Sequence, residues 1–201
     1  MENVEKEFTP EESLLLISQV ISKTRRNIKV ASFFFILWGW TMVFASLACF
    51  FVIKYFVGIH QYKYINLWAW MAWIIPVLIA SIVSSTQEKK MKSFEKVKSQ
   101  IGNIIKIMWT SNGIAIVIGC IVSYRLNFYP APLIFIIIGL STFMTGYIIK
   151  FKPLMYGGII FWLATILSVF IQSDLQLLLT AVTIVAGYII PGYMLKYSKD
   201  N

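Results

Sequence analysis

Long apolar runs alternate with short polar segments along almost the whole chain. A helix needs about 20 apolar residues to cross the hydrocarbon core of a bilayer, where backbone groups find no water and must bond one another. The pattern predicts an all-α polytopic membrane protein with six transmembrane helices, arranged as three hairpins, and an N-terminal amphipathic helix. The six predicted spans are 30–53, 65–84, 104–123, 132–149, 154–171 and 175–195.

The fourth and fifth runs are separated only by Lys150, Phe151, Lys152 and Pro153. A lysine near the bilayer centre costs about 3 kcal/mol, whereas at a helix end its ammonium group reaches water. Proline suits the first turn of a new helix, because its missing N–H is not needed there. This stretch is therefore predicted to be a tight turn at a membrane face and not the middle of one long helix.

Two polar segments outside the spans have helical periodicity. In 1–29, Thr9, Pro10 and Glu12 are typical of a helix start, and apolar residues then recur every three or four positions. The segment 85–103 carries a second apolar stripe that leads into the third span. Either the first helix lies on the inner leaflet with its basic end near anionic lipid, or the two helices pack on each other. We favour mutual packing, because both stripes belong to the same side of the membrane.

Composition agrees with a membrane location. The chain is 58% hydrophobic and 13% charged, and its mean hydropathy is +0.74, outside the range of soluble globular domains. The net charge of +9 does not indicate nucleic-acid binding, since the basic residues lie between apolar runs instead of within a soluble fold.

The basic residues are also distributed unequally between the two sides of the membrane. They are concentrated in the N-terminal segment 1–29, the loop 85–103 with the start of the third span, the turn between the fourth and fifth spans, and the tail 196–201. The other side has only Lys54, Lys63 and Arg125. Because cytoplasmic loops are rich in Lys and Arg, both termini are predicted to be cytoplasmic. The transmembrane domain then covers 30–195.

The sequence has no recognisable catalytic or metal-binding pattern. Ionisable residues at mid-depth would mark an ion pathway, and the six runs contain none there. The single histidine, His60, lies in the loop after the first run, while Cys49 and Cys120 lie inside runs and are interpreted as small hydrophobic side chains. No catalytic triad, nucleotide-binding loop or carboxylate pair is present. We therefore expect no enzyme activity, catalytic residue, cofactor or metal site.

Mild polarity remains inside the runs. The candidates for lining a cavity, or for packing between helices, are Trp38, Asn112, Ser141, Thr145 and Thr183. Small residues four positions apart let helix backbones approach closely, and this spacing joins Ser141 to Thr145, Thr142 to Gly146 and Thr183 to Gly187. Helix packing is the favoured interpretation, and a substrate-lining role is the alternative.

Two local expectations concern the ends of the spans. In the loop before the sixth run, Ser173 is expected to cap the helix with Gln176 at the capping-box position, and Asp174 to favour the helix N-terminus. Among the aromatic residues, Trp68 is expected to anchor the outer membrane interface and Trp109 the inner one.

Four stretches carry a resemblance to a protein family: FTPEESLLLIS near the N-terminus, LWGW in the first run, GYIIKFKPLMYGGI at the turn, and QLLLTAVTIVAGYIIPGYMLK at the C-terminus. Together they resemble uncharacterised six-helix membrane proteins common in Bacteroidetes-type bacteria. The resemblance covers most of the chain and implies the inner membrane of a Gram-negative bacterium, with no activity, substrate or cofactor attached. Genes of this family often lie beside those of small winged-helix regulators, which implies a regulatory or stress-response setting.

These observations predict a non-enzymatic scaffold or regulatory membrane protein. Its partners would be membrane lipid and possibly a protein that binds the cytoplasmic helices, with no role for nucleic acid. The alternative is a small permease or channel for a neutral or amphiphilic solute, lined by the five candidate residues.

Overall fold

The computed structural model describes the backbone of residues 10–92, 100–172 and 174–198, and side chains within 31–89, 102–172 and 174–198. Every regular element in these ranges is helical. Six helices are long and apolar enough to cross a membrane, which confirms the predicted fold class. The candidate spans are Ala31–Gly58, Tyr62–Lys89, Gly102–Leu126, Ala131–Ile148, Lys152–Val169 and Leu175–Tyr197.

The first helix, α1 (Pro10–Gly58), is continuous over 49 residues. At 1.5 Å per residue it is about 74 Å long, more than twice the roughly 30 Å of a bilayer's hydrocarbon core. The predicted amphipathic segment is therefore not a separate helix but the N-terminal extension of the first span. The expected capping residue, Thr9, and the apolar stripes of both cytoplasmic segments lie outside the residues whose side chains are described.

The remaining helices follow the order of the apolar runs. A short 3₁₀ turn at Tyr62–Tyr64 leads into the second helix, and a π-helical turn at Val185–Ile189 interrupts the sixth span. In chain order the other helices are α2 (Ile65–Lys92), α3 (Gln100–Leu126), α4 (Ala131–Ile148), α5 (Lys152–Val169), α6 (Leu175–Ile184) and α7 (Ile190–Tyr197).

The predicted turn between the fourth and fifth runs joins α4 to α5. Lys150 has φ of 56°, the left-handed conformation that commonly ends a helix. The N–H of Phe151 donates to the carbonyl of Gly146 (2.8 Å) and that of Lys150 to Tyr147 (3.2 Å), the two bonds of a Schellman motif. Pro153 then lies in the first turn of α5. The motif reverses the chain within three residues, so α4 and α5 pack along their whole length.

Adjacent glycines on α5 allow it to approach two helices closely. A Cβ at Gly158 would lie 2.7 Å from the carbonyl oxygen of Gly139 on α4, and one at Gly157 would overlap the carbonyl oxygen of Gly187 in the π-helical turn. Backbone is therefore packed against backbone on both sides of α5. Phe135 and Phe161, both almost fully buried, fill the core between these crossings with their ring centres 6.0 Å apart.

The π-helical turn ends two residues before Pro191. A proline in a helix removes one N–H and crowds the carbonyl four residues earlier, which here is Gly187. A π turn relieves this crowding by changing the register of the ladder. It also places the Gly187 carbonyl against Gly157. The proline in the sixth span is therefore accommodated by a local change of helix type, whereas α2 remains α-helical through Pro76.

α2 and α3 lie at the periphery. Only 6% and 11% of their central segments are buried, against 44% for the sixth span. α2 packs on α1, and α3 packs mainly on α4. At one end of the molecule an ion pair between Glu88 and Lys106 joins α2 to α3. The exposed surfaces of both helices are apolar, as lipid contact requires.

Candidate functional site

The structure places the five candidate residues on four helices, α1, α3, α4 and α6. Trp38 lies between α1 and α2, where its Nε1 donates a hydrogen bond to Ser84 Oγ at 3.1 Å. Ser141 and Thr145 lie one turn apart on α4, and Thr183 lies on α6. Trp38 therefore contributes to the interface between α1 and α2.

Thr145 is the best connected of the candidates. It is fully buried, its hydroxyl donates to the Ser141 carbonyl at 2.7 Å, and it accepts a bond from Trp109 Nε1 at 3.2 Å. The second bond crosses from α3 to α4. In the membrane interior such bonds hold helices together, because water does not compete for the same groups. The geometry assigns Thr145 to packing.

Trp109 also belongs to an aromatic cluster. Its ring centre lies 5.8 Å from that of Phe35 on α1 and 5.9 Å from that of Tyr188 in the π-helical turn. Phe35 and Tyr188 are 4.7 Å apart. Trp109 therefore does more than the membrane anchoring expected from the sequence. Its ring packs between three helices, and its indole N–H is used inside the protein.

Asn112 is the candidate whose side chain has the least complete hydrogen bonding. It is 5% exposed, one helical turn from Trp109, and its Oδ1 has no hydrogen-bond partner within the described part of the chain. Gly119 and Ser123 are buried on the same face of α3, and Ser123 Oγ also lacks a partner there. An unpaired buried polar group costs about 1 to 3 kcal/mol. This stripe of small and polar residues is the strongest structural sign of a place for water or a polar ligand.

Thr142 and Gln176 each add an unpaired oxygen among the described residues. Thr142 Oγ1 is buried on α4, near the level of Asn112 on the antiparallel α3. Gln176 Oε1 is unpaired, but its Nε2 donates to the carbonyls of Ser168 (2.8 Å) and Ile171 (3.2 Å) at the end of α5. Gln176 therefore ties α6 to α5, and the expected capping box includes Ser173, which lies outside the described residues.

Asp174 lies at the helix N-terminus that its charge was expected to favour. It is the N-cap residue of α6, but no side-chain capping bond is formed, and Ser173 lies outside the described residues. Its carboxylate instead accepts a hydrogen bond from Lys54 at 2.6 Å, which connects the end of α1 to the start of α6. This bond holds the pKa of Asp174 below its usual value. Nearby, burial raises the pKa of Tyr129 to about 12, so its phenol stays neutral.

Chemical machinery is sparse among the described residues. Their His, Cys, Asp and Glu residues form no group of three or more that is able to hold a metal ion. Cys49 is buried and Cys120 half-buried, and both are free thiols. His60 is exposed, with Nδ1 3.4 Å from the hydroxyl of Tyr62.

The chain matches no protein-family model, no curated protein and no solved structure.

Proposed function

We propose that the protein is a non-enzymatic scaffold or regulatory protein of the bacterial inner membrane, of the six-helix family that its sequence resembles. The burial of the polar residues suited to lining a pathway carries this proposal. Asn112 and Ser141 are each 5% exposed, Thr183 is 3% exposed, and Thr145 is fully buried. Side chains so closely packed stabilise the helix bundle, which leaves binding by the segments outside it as the main route to function.

The proposed orientation has both termini in the cytoplasm. The unequal distribution of Lys and Arg supports it, and the exposed Lys150 and Lys152 lie in the α4–α5 turn. In a variant with both native cysteines changed to alanine, Lys152→Cys should react with a membrane-impermeant maleimide only from the cytoplasmic side. Lys63→Cys is the matched control and should react only from the other side. The reverse labelling pattern would contradict the orientation.

The proposed partner-binding element is the part of α1 that precedes its span. α1 begins at Pro10, twenty-one residues before the candidate span starts at Ala31. The sequence predicts an apolar stripe along this part of the helix. Such a helix extends the rigid span and presents a stripe to a partner helix.

A deletion tests this role. Removing residues 1–23 should abolish cross-linking to the partner while six-span insertion is retained. A sharper pair of variants is Ile17→Glu, which places a charge on the apolar stripe, and Ser18→Glu, which places the same charge beside it. Loss of cross-linking in the first variant alone supports the proposal. Equal cross-linking in the deletion, both variants and the parent chain would end it.

A permease or channel for a neutral or amphiphilic solute is the second candidate. The unpaired oxygens of Asn112, Ser123 and Thr142 favour it, because a transported solute or a file of water would satisfy them. In a background lacking both native cysteines, Asn112→Cys, Ser141→Cys and Thr183→Cys should then react with a small water-soluble reagent from at least one side. Three unreactive positions would eliminate the permease.

A further inference from the structure

Three buried polar side chains form a layer across α3 and α4 near the middle of the membrane. Asn112 on α3 and Ser141 on α4 are each 5% exposed, and Thr142 on α4 is 0% exposed. Asn112 lies ten residues after the start of the candidate span Gly102–Leu126, which is about 15 Å along the helix. Half of a hydrocarbon core of roughly 30 Å has the same depth. The layer is therefore far from bulk water.

The hydrogen bond between Trp109 and Thr145 fixes the level of α3 against the antiparallel α4. Three residues further along α3 is Asn112, and three residues back along α4 is Thr142, so the two lie at one level. Three residues are nearly one helical turn, so each side chain stays on about the same side of its helix as the bonded pair. Asn112 and Thr142 therefore belong to one layer of the bundle.

The Thr142 hydroxyl departs from the pattern of the other threonines in the spans. Five of them donate to the carbonyl four residues earlier in their own helix: Thr41, Thr110, Thr145, Thr165 and Thr180. Thr142 Oγ1 has no hydrogen-bond partner among the described residues, and neither has Asn112 Oδ1. Because a hydrogen bond between the two would give each of them a partner, these oxygens are not bonded to each other.

Water is the ligand that this layer suits. The Asn112 carbonyl oxygen accepts a hydrogen bond, and the Thr142 hydroxyl is able to donate one. The Ile138 carbonyl, which a threonine at position 142 would usually occupy, offers a further acceptor, and buried water typically makes about three hydrogen bonds. Residues 107–124 and 131–149 contain no Asp, Glu, Lys or Arg. An ion bound here would therefore lack the opposite charge that a desolvated ion requires.

We propose that the layer is an enclosed hydration site, in which a water molecule donates to Asn112 Oδ1 and accepts from the Thr142 hydroxyl. Only 11% of the central segment of the third span is buried, so polar ties of this kind and the Trp109–Thr145 bond hold α3 to the bundle. The water stays in the site and needs no opening to either side of the membrane. The site is therefore distinct from a permeation pathway, and it does not depend on the proposed scaffold role.

A double-mutant cycle, measured by unfolding in SDS, tests the site. Thr142→Val and Asn112→Leu each remove one partner of the water and leave the other unsatisfied, so each should raise the equilibrium constant for unfolding about tenfold. The double variant removes both polar groups and should raise the constant less than either single change. Thr180→Val is the matched control. The buried Thr180 hydroxyl bonds within its own helix at 2.7 Å, so its loss should change the constant less than about threefold.

Two outcomes of this cycle would overturn the proposal. Single changes that leave the equilibrium constant unchanged or lower it would show a dry, packed layer. A double variant whose effect is the product of the two single effects would show that Asn112 and Thr142 share no water.

A second pair of measurements does not depend on stability. An experimental structure that resolves ordered water should show a water molecule within about 3.2 Å of both oxygens. In a background lacking both native cysteines, Thr142→Cys should not react with a small water-soluble thiol reagent from either side, whereas Lys152→Cys at the exposed α4–α5 turn should react. A reactive Thr142→Cys would reveal an open pathway, and a direct hydrogen bond between Asn112 and Thr142 would leave water no role. Either result would overturn the enclosed site.

Discussion

The crossing of α5 with the π-helical turn gives the sharpest prediction about stability. In Gly157→Ala the new Cβ would overlap the carbonyl oxygen of Gly187 and lie 3.0 Å from its carbonyl carbon. Both atoms belong to the backbone, so no rotation of a side chain relieves the overlap. Overpacking of this kind costs about 3 kcal/mol, the upper end of the usual range. The higher helix propensity of alanine returns about 1 kcal/mol. We therefore expect a net loss of about 2 kcal/mol.

The assay is reversible unfolding in mixed micelles by SDS titration, followed by circular dichroism. Gly113→Ala is the matched control, since a Cβ at that position on α3 would meet nothing within 4 Å. It should leave the free energy of unfolding unchanged or raise it by up to about 1 kcal/mol. If both variants gave the same free energy within about 0.5 kcal/mol, the close approach of α5 to the sixth span would be refuted.

Two further predictions concern the polar contacts between helices. In a double-mutant cycle, Thr145→Val and Trp109→Phe should show a coupling free energy of about 0.6 kcal/mol, the average for hydrogen bonds inside membranes. Strictly additive effects of the two changes on the free energy of unfolding would contradict the hydrogen bond. The Lys54–Asp174 pair should stabilise the fold equally from pH 5 to pH 8, because a lowered carboxyl pKa means that its contribution is lost only when pH falls below the ordinary value of 3.8. The difference in melting temperature between the parent chain and Asp174→Asn, measured across that range, should therefore stay constant, and a steady drift would contradict the assignment.

The spans were predictable from sequence because lipid imposes a minimum apolar length. The ends of the helices were harder to predict. The predicted first span stops at Ile53, but the helix continues to Gly58, since Lys54 is accommodated by its bond to Asp174 on another helix. Such a bond between residues 120 positions apart in sequence leaves no local signal. The α4–α5 turn was predictable, because its lysines and proline act locally.

The interior was harder to predict, since helices exposed to lipid are apolar on every face and periodicity no longer marks the packed side. Small-residue spacing did indicate Gly146 and Gly187, which both lie in tight helix contacts. Gly157, which packs against Gly187, and its neighbour Gly158 had an available signal, because they are two adjacent glycines inside an apolar run. The packing role of Trp109 had no sequence signal, because an aromatic residue near the end of a span is equally typical of an interface anchor.

Asn112 offers a way to decide between the two proposed functions. If its amide is packed without a partner, Asn112→Leu removes a buried polar group of about the same size. The free energy of unfolding should then rise by about 1 to 2 kcal/mol. If water or a solute satisfies the amide, the same change deletes hydrogen bonds and leaves the other pathway groups unsatisfied, so stability should fall.

Asn103→Leu is the control for this measurement, since Asn103 is exposed on the same helix and should respond weakly in either case. The sign for Asn112→Leu relative to this control is the result that matters. A rise supports the packed scaffold. A fall, together with reagent access at Asn112→Cys, would favour the permease, because a hydrated amide at 5% exposure requires a water-filled space that reaches the middle of α3.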